Sequence, residues 1–235
     1  MSKYELDARF VYGPKHSHFT ESKLEVVSET LRNVITSHQE TKEVREVLDQ
    51  FPHLKAFQGA LGKMAGIDFY DPEIQEAYWI GNDLLKSIDR SDAREVLLQF
   101  YKKSELPDGY MNELGGVLSK PVILHHNFQV AKIAVIDSGG MGDNLDPVNN
   151  CMVRSAEVLE ISDDRVKVNA DKLYKNQYGY AIEKKDEIVK YEANLVGDLK
   201  AGNIVALHWG AVAMHLNEDQ EKQLNYWTQE VAKLL

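Results

Sequence analysis

The chain's one cysteine, Cys151, and the histidine within Gly202-Asn203-Ile204-Val205-Ala206-Leu207-His208-Trp209-Gly210 are the residues whose types could do chemistry together. A thiolate is soft and an imidazole borderline, so the two make a ligand pair suited to a transition metal. A closed zinc site takes four protein ligands. A pair therefore implies transient holding of an ion whose other positions are filled by a cofactor or a partner. Each residue also has a plain structural reading. A lone cysteine ordinarily packs as a small buried hydrophobe, and a histidine in an apolar strand ordinarily sits satisfied in a core.

His125-His126-Asn127-Phe128, preceded by the apolar Pro121-Val122-Ile123-Leu124, is the second polar cluster. Adjacent side chains point in different directions on a helix or a strand, so at most one of these imidazoles faces a given site. That one would reach from the first half of the chain toward Cys151 and His208, as a third ligand or a general acid/base. Otherwise the two sit at an interface or core edge. His16 and His18 lie in a turn-like stretch and could bind metal adventitiously. Tyr78-Trp79 with Gly81-Asn82 reads as mid-helix, where glycine costs about 1 kcal/mol relative to alanine and so suggests close packing. Gly139-Gly140-Met141-Gly142 lacks the Walker spacing, and no G-x-G-x-x-G follows a strand, which leaves phosphate binding without support.

The elements that must position these groups change character along the chain. Before residue 120 the apolar residues recur three and four apart. Leu24, Val27, Leu31, Val34 and Ile35 form one stripe, Val44, Val47 and Leu48 a second, and Phe57, Leu61 and Met64 a third. Asp71-Pro72 caps a helix predicted to carry Ile74, Ala77, Tyr78, Gly81, Leu84 and Leu85 on one face, and Ser91-Asp92 opens another. Leu106-Pro107-Asp108-Gly109 interrupts before a segment from Met111 to Leu118. Periodicity then lapses around Asp137 to Asn144, a glycine- and aspartate-rich linker. Beyond it come short β-rich runs at Val153 to Val158, Val166 to Val168, Tyr178 to Ile182 and Ile188 to Tyr191. Ser162-Asp163-Asp164, Lys175-Asn176-Gln177 and Lys184-Lys185-Asp186 read as the turns between them. Asn217-Glu218-Asp219 caps a final helix with Leu224, Trp227, Val231 and Leu234 inward. The expected fold is α+β, with an N-terminal helical bundle over 1–145 and a small OB-like β-barrel with a C-terminal helix over 146–235.

Composition bounds the function. In 235 residues, 43% hydrophobic and 27% charged is ordinary globular composition. Lys plus Arg is 27 against 37 Asp plus Glu, and the net charge of -10 argues against a nucleic-acid partner. A single cysteine excludes an internal disulfide, no apolar run reaches membrane-spanning length, and the first residues lack a signal-peptide core. A cytoplasmic protein with no membrane partner is the expectation.

The run from Cys151 to Glu160, the second strand after it, the strand Gly202 to Ala213 with His208, and the acidic helix resemble the HypC/HupF-type hydrogenase-maturation chaperones. Those are small barrels with a C-terminal helix. By that resemblance Cys151 stands for the family's iron-ligating cysteine and His208 for its strand histidine. The likeness implies transient holding of iron, with its cyanide and carbonyl ligands, between a maturation scaffold and the large subunit of a nickel-iron hydrogenase. The cysteine here is internal, and Asn203 stands where that family has an acidic residue. The whole chain also resembles a family of similar length associated with actinobacterial hydrogenase gene clusters. The matching stretches are Glu76-Ala77-Tyr78-Trp79-Ile80-Gly81-Asn82, His125-His126-Asn127-Phe128 and Val205-Ala206-Leu207-His208-Trp209. That likeness implies that the two halves act together.

The leading expectation is a non-catalytic assembly factor or metallochaperone holding iron through Cys151 and His208, with His125 or His126 as further candidates and protein partners implied. The alternatives are a thiol enzyme, with Cys151 as nucleophile and a histidine as base, and a protein-binding adaptor that holds no metal.

Overall fold

A computed structural model describes residues 2–15, 19–103, 110–118, 121–133 and 144–235. His16, His18, the Leu106 to Gly109 interruption and the linker from Asp137 to Asp143 lie outside them. The stripes read from the sequence become buried helix faces. α1 (Glu5–Val11) precedes α2 (Glu21–Ser37), whose Val27, Leu31, Val34 and Ile35 are buried. α3 (Lys42–Leu48) is capped by Thr41, whose hydroxyl accepts from the Val44 amide, and α4 (Pro52–Ala65) starts at its proline.

α5 (Pro72–Trp79) is capped by Asp71, which accepts from the Glu73 amide. It stops well short of the predicted Leu85. Gly81 is not in a helix: its φ is 92°, its N–H donates to the Glu76 carbonyl at 2.7 Å, and the Asn82 amide closes on the Glu73 carbonyl at 2.9 Å. This is a glycine C-cap, and the chain turns where only glycine is unstrained. Leu84 and Leu85 belong instead to a separate turn, α6 (Leu84–Ser87). α7 (Arg90–Tyr101) is capped by Asp89, two residues earlier than predicted, and is followed by α8 (Tyr110–Val117), α9 (His126–Lys132) and α10 (Asp146–Cys151). Cys151 therefore ends a short helix ahead of the first strand.

β1 (Arg154–Ser162), β2 (Arg165–Asn176) and β3 (Gly179–Lys190) form a meander. α11 (Ala193–Val196), β4 (Ile204–His208), β5 (Ala211–His215) and α12 (Glu218–Ala232) complete the chain. The strands close into a barrel in the order β1-β2-β3-β5-β4. Ala156, Val158, Val166, Val168, Val205 and Leu207 fill it, following the strand alternation of inward and outward residues. Lys184-Lys185-Asp186 is no turn: all three sit within β3, opposite Asp171, Ala170 and Asn169 of β2. The charges are paired across strands on the outer face, Lys184 with Asp171 at 3.6 Å and Asp186 with Lys167 at 3.1 Å.

α12 carries the expected cap as a full capping box, Asn217 with Gln220. It packs on β1, β3 and α9, and one apolar cluster runs from Leu6 through the helices to Val153, Ala206, Met214 and Trp227. Helices and barrel thus share core residues, among them Phe128 and Ala131 of α9 and Ala206 of β4. Among the described residues no helix is long and apolar enough to cross a membrane.

Candidate metal centre

Cys151 reaches its position through its neighbours. The Asn149 side chain imitates a strand partner: its amide donates to the Leu173 carbonyl at 2.9 Å and its Oδ1 accepts from the Leu173 N–H at 2.7 Å. The Asn150 carbonyl accepts from the Trp209 N–H at 2.8 Å. These bonds tie the end of α10 to β2 and to the turn after β4. Asn127 does the same for α9, with its amide on the Val153 carbonyl at 2.8 Å and on Thr228 Oγ1 at 2.9 Å, and its Oδ1 on the Val153 N–H at 2.8 Å.

With these elements pinned, His126, Cys151 and His208 meet, and their ligand atoms lie within 4.8 Å of one another. His125 is not part of the group. It caps α9, its Nδ1 accepting the Asn127 N–H at 3.0 Å, so the adjacent imidazoles diverge as the sequence required. His126 comes from the helical half and brings a second imidazole to the Cys151 and His208 pair. The rings of His126 and His208 lie 5.1 Å apart and nearly perpendicular, at 87°. Trp79 flanks both, 4.4 Å from His126 and 5.5 Å from His208. Its indole N–H donates at 2.7 Å to Asp7, a carboxyl that burial pushes up to about 7.

The proton positions follow from the partners. His208 Nδ1 lies 2.7 Å from the Phe10 carbonyl, which can only accept, so the proton sits on Nδ1. Burial lowers this imidazole's pKa to about 4, which keeps the ring neutral. Its Nε2 consequently carries a lone pair and, fully buried, has no hydrogen-bond partner within bonding geometry. An orphaned buried nitrogen whose opposite N–H is held by a carbonyl is the arrangement a metal-binding histidine requires. Burial also holds His126 well below the ordinary imidazole value and pushes the Cys151 thiol up to about 11. Without an ion the group is uncharged, and the thiol is a poor nucleophile at neutral pH. A divalent ion would take its place by displacing the thiol proton, the usual linkage of metal binding to proton release.

The three residues border a cavity of ≈ 90 Å³ walled by Val11, Phe51, Leu54, Tyr78 and Trp209, among others. A three-ligand site on such a cavity leaves a metal's remaining position open to a small ligand. His53 lines the same cavity and bonds through Nδ1 with the Tyr101 hydroxyl at 2.8 Å. Sequence reasoning gave no role to His53, to Gln129 or to the Phe10 carbonyl. Gln129 had one available signal, since it lies three residues after His126 and so shares its helix face.

Neither the curated proteins nor the solved structures contain a match to the chain. A family model, described as a family of unknown function (DUF6390), matches residues 5–235. The chain belongs to that family.

Proposed function

We propose that the protein is a metallochaperone-like assembly factor that transiently holds iron as cargo at His126, Cys151 and His208. The observation that carries the reading is the convergence of a thiol and two imidazoles, one with an orphaned buried nitrogen, at a small cavity. Three protein ligands of mixed softness suit a transition ion held incompletely, with room for ligands brought by the cargo or by a partner. The reading takes the barrel as OB-like and the N-terminal helices as a bundle docked on it. It also takes the resemblance of residues 151–235 to HypC/HupF-type chaperones as a guide to partners, namely a maturation scaffold and a hydrogenase large subunit in the cytoplasm. No catalytic role is assigned: burial pushes the partly buried Cys151 thiol up to about 11, away from the thiolate a nucleophile needs.

The test is iron content. Protein purified anaerobically and titrated with ferrous iron is expected to retain at most one ion per chain, and Cys151→Ala to retain none after desalting. Equal iron retention by wild type and Cys151→Ala would remove the proposal.

A further inference from the structure

Trp209 and Gly210 form the two-residue turn that joins β4 to β5, and both lie at positive φ, 53° and 68°. Two positive values make a type I′ turn, whose first position ordinarily holds Asn, Asp or Gly because other side chains crowd the backbone there. Tryptophan in that place is held against its own backbone preference. Strain of this kind persists only where the surroundings enforce it, and it collects at ligand clamps and switching segments.

The surroundings fix the turn but leave the ring a way out. The Trp209 N–H donates to the Asn150 carbonyl at 2.8 Å, and the Gly210 carbonyl accepts from the Lys190 N–H at 2.9 Å. The backbone is therefore tied to α10 on one side and to β3 on the other. Facing it is Gly13, where a Cβ would stand 2.9 Å from Trp209 Cβ. So close an approach calls for glycine, and Pro14 beside it lines the same cavity as Trp209. Among the described residues that line this cavity with Cys151 and His208, Trp209 is the most exposed, with 37% of its surface open to solvent. The others are buried or partly buried. The ring thus stands between the candidate ligands and water. With its backbone tied, it moves by turning about its own side-chain bonds.

We propose that the Trp209 ring is the gate of this cavity, so that an ion reaches or leaves His126, Cys151 and His208 only when the ring turns outward. The inference rests on the metal-holding reading above. A gate open for about 0.1–10% of the time slows entry and exit alike, so removing it speeds both about 10-fold or more and leaves the affinity unchanged.

The experiment follows Co²⁺ uptake and release by the full chain in stopped flow, for wild type and Trp209→Gly. Glycine suits the positive φ, so this variant removes the ring without adding backbone strain. Both rate constants are expected to rise about 10-fold or more, with Kd unchanged. Trp209→Phe, a smaller cover, is expected to raise both rates by a smaller common factor, and it decides the matter where the glycine variant fails to fold. Rates equal to wild type in a folded variant overturn the gate and leave the metal site standing. So does a rise in the release rate alone, which would make Trp209 a clasp on the bound ion. A wild-type chain that takes up no Co²⁺ overturns the proposed function. The gate is then decided on the metal-free protein, by alkylating Cys151 with a small and a bulky maleimide. Faster alkylation of Trp209→Gly, with the greater gain for the bulky reagent, supports the gate. Unchanged rates overturn it, and so does an equal gain for both reagents, which reports altered thiol ionisation rather than access.

Discussion

Asn127→Ala is expected to lower the unfolding free energy by about 3–5 kcal/mol, because each buried polar group left without a partner costs roughly 1–3 kcal/mol. The side chain is fully buried and makes three bonds across the molecule, to both backbone groups of Val153 and to Thr228 Oγ1. Alanine would strand a backbone N–H, a backbone carbonyl and a hydroxyl where water does not reach. The affected groups join α9, the residue just before β1 and α12, so the damage falls on the clamp that sets His126 opposite Cys151. Urea denaturation of the two proteins measures the loss. Thr228→Val, which removes only the hydroxyl, should cost about 1 kcal/mol by the same reasoning. A loss below 1 kcal/mol for Asn127→Ala would mean that the clamp does not hold the halves together.

The second large effect is expected at Gly81→Ala, a change of one methyl group. A Cβ there would stand 2.1 Å from Trp227 Cδ1 and 2.9 Å from Trp227 Cγ, with φ at +92°. Trp227 is fully buried, so its ring has nowhere to retreat. Overpacking typically costs about 1–3 kcal/mol, and a positive φ for a residue bearing a Cβ adds a similar amount, for a sum near 4 kcal/mol. Thermal denaturation should show Tm falling well below that of wild type. Gly179→Ala is the control: its φ is 120°, but nothing lies within 4 Å of the added carbon. Similar losses at the two positions would assign the effect to backbone strain alone and contradict the packing argument.

The pattern of legibility follows from which interactions are local. Helix stripes and caps were readable because their partners lie within a turn or two, as Asp71 to Glu73 and Asn217 to Gln220 illustrate. The end of α5 was missed because Gly81 continues the spacing of an apolar face. What stops the helix there is the positive φ of Gly81, which leaves room for a tryptophan from α12, far along the chain. Lys184-Lys185-Asp186 was misread because consecutive charges resemble a turn, whereas the partners that make them a strand surface sit on β2.

The site divides in the same way. Cys151 and His208 stood out by type and by the strand around the histidine, and the divergence of His125 from His126 follows from helix geometry. Which of the two faces the thiol depends on the docking of α9 against the start of β1. The Phe10 carbonyl that sets the His208 tautomer and the Tyr78 hydroxyl beside His126 come from α1 and α5. A backbone carbonyl has no sequence signature at all, and a buried tyrosine in an apolar stripe is indistinguishable from core until its neighbour is known.

X-ray absorption at the iron edge, on wild-type protein loaded anaerobically with ferrous iron, tests the central claim most directly. The account predicts one sulfur and two imidazole nitrogens bound to a single ion, with the sulfur lost in Cys151→Ala and one imidazole lost in His208→Ala. A spectrum with no sulfur neighbour, or one unchanged by both substitutions, would contradict it.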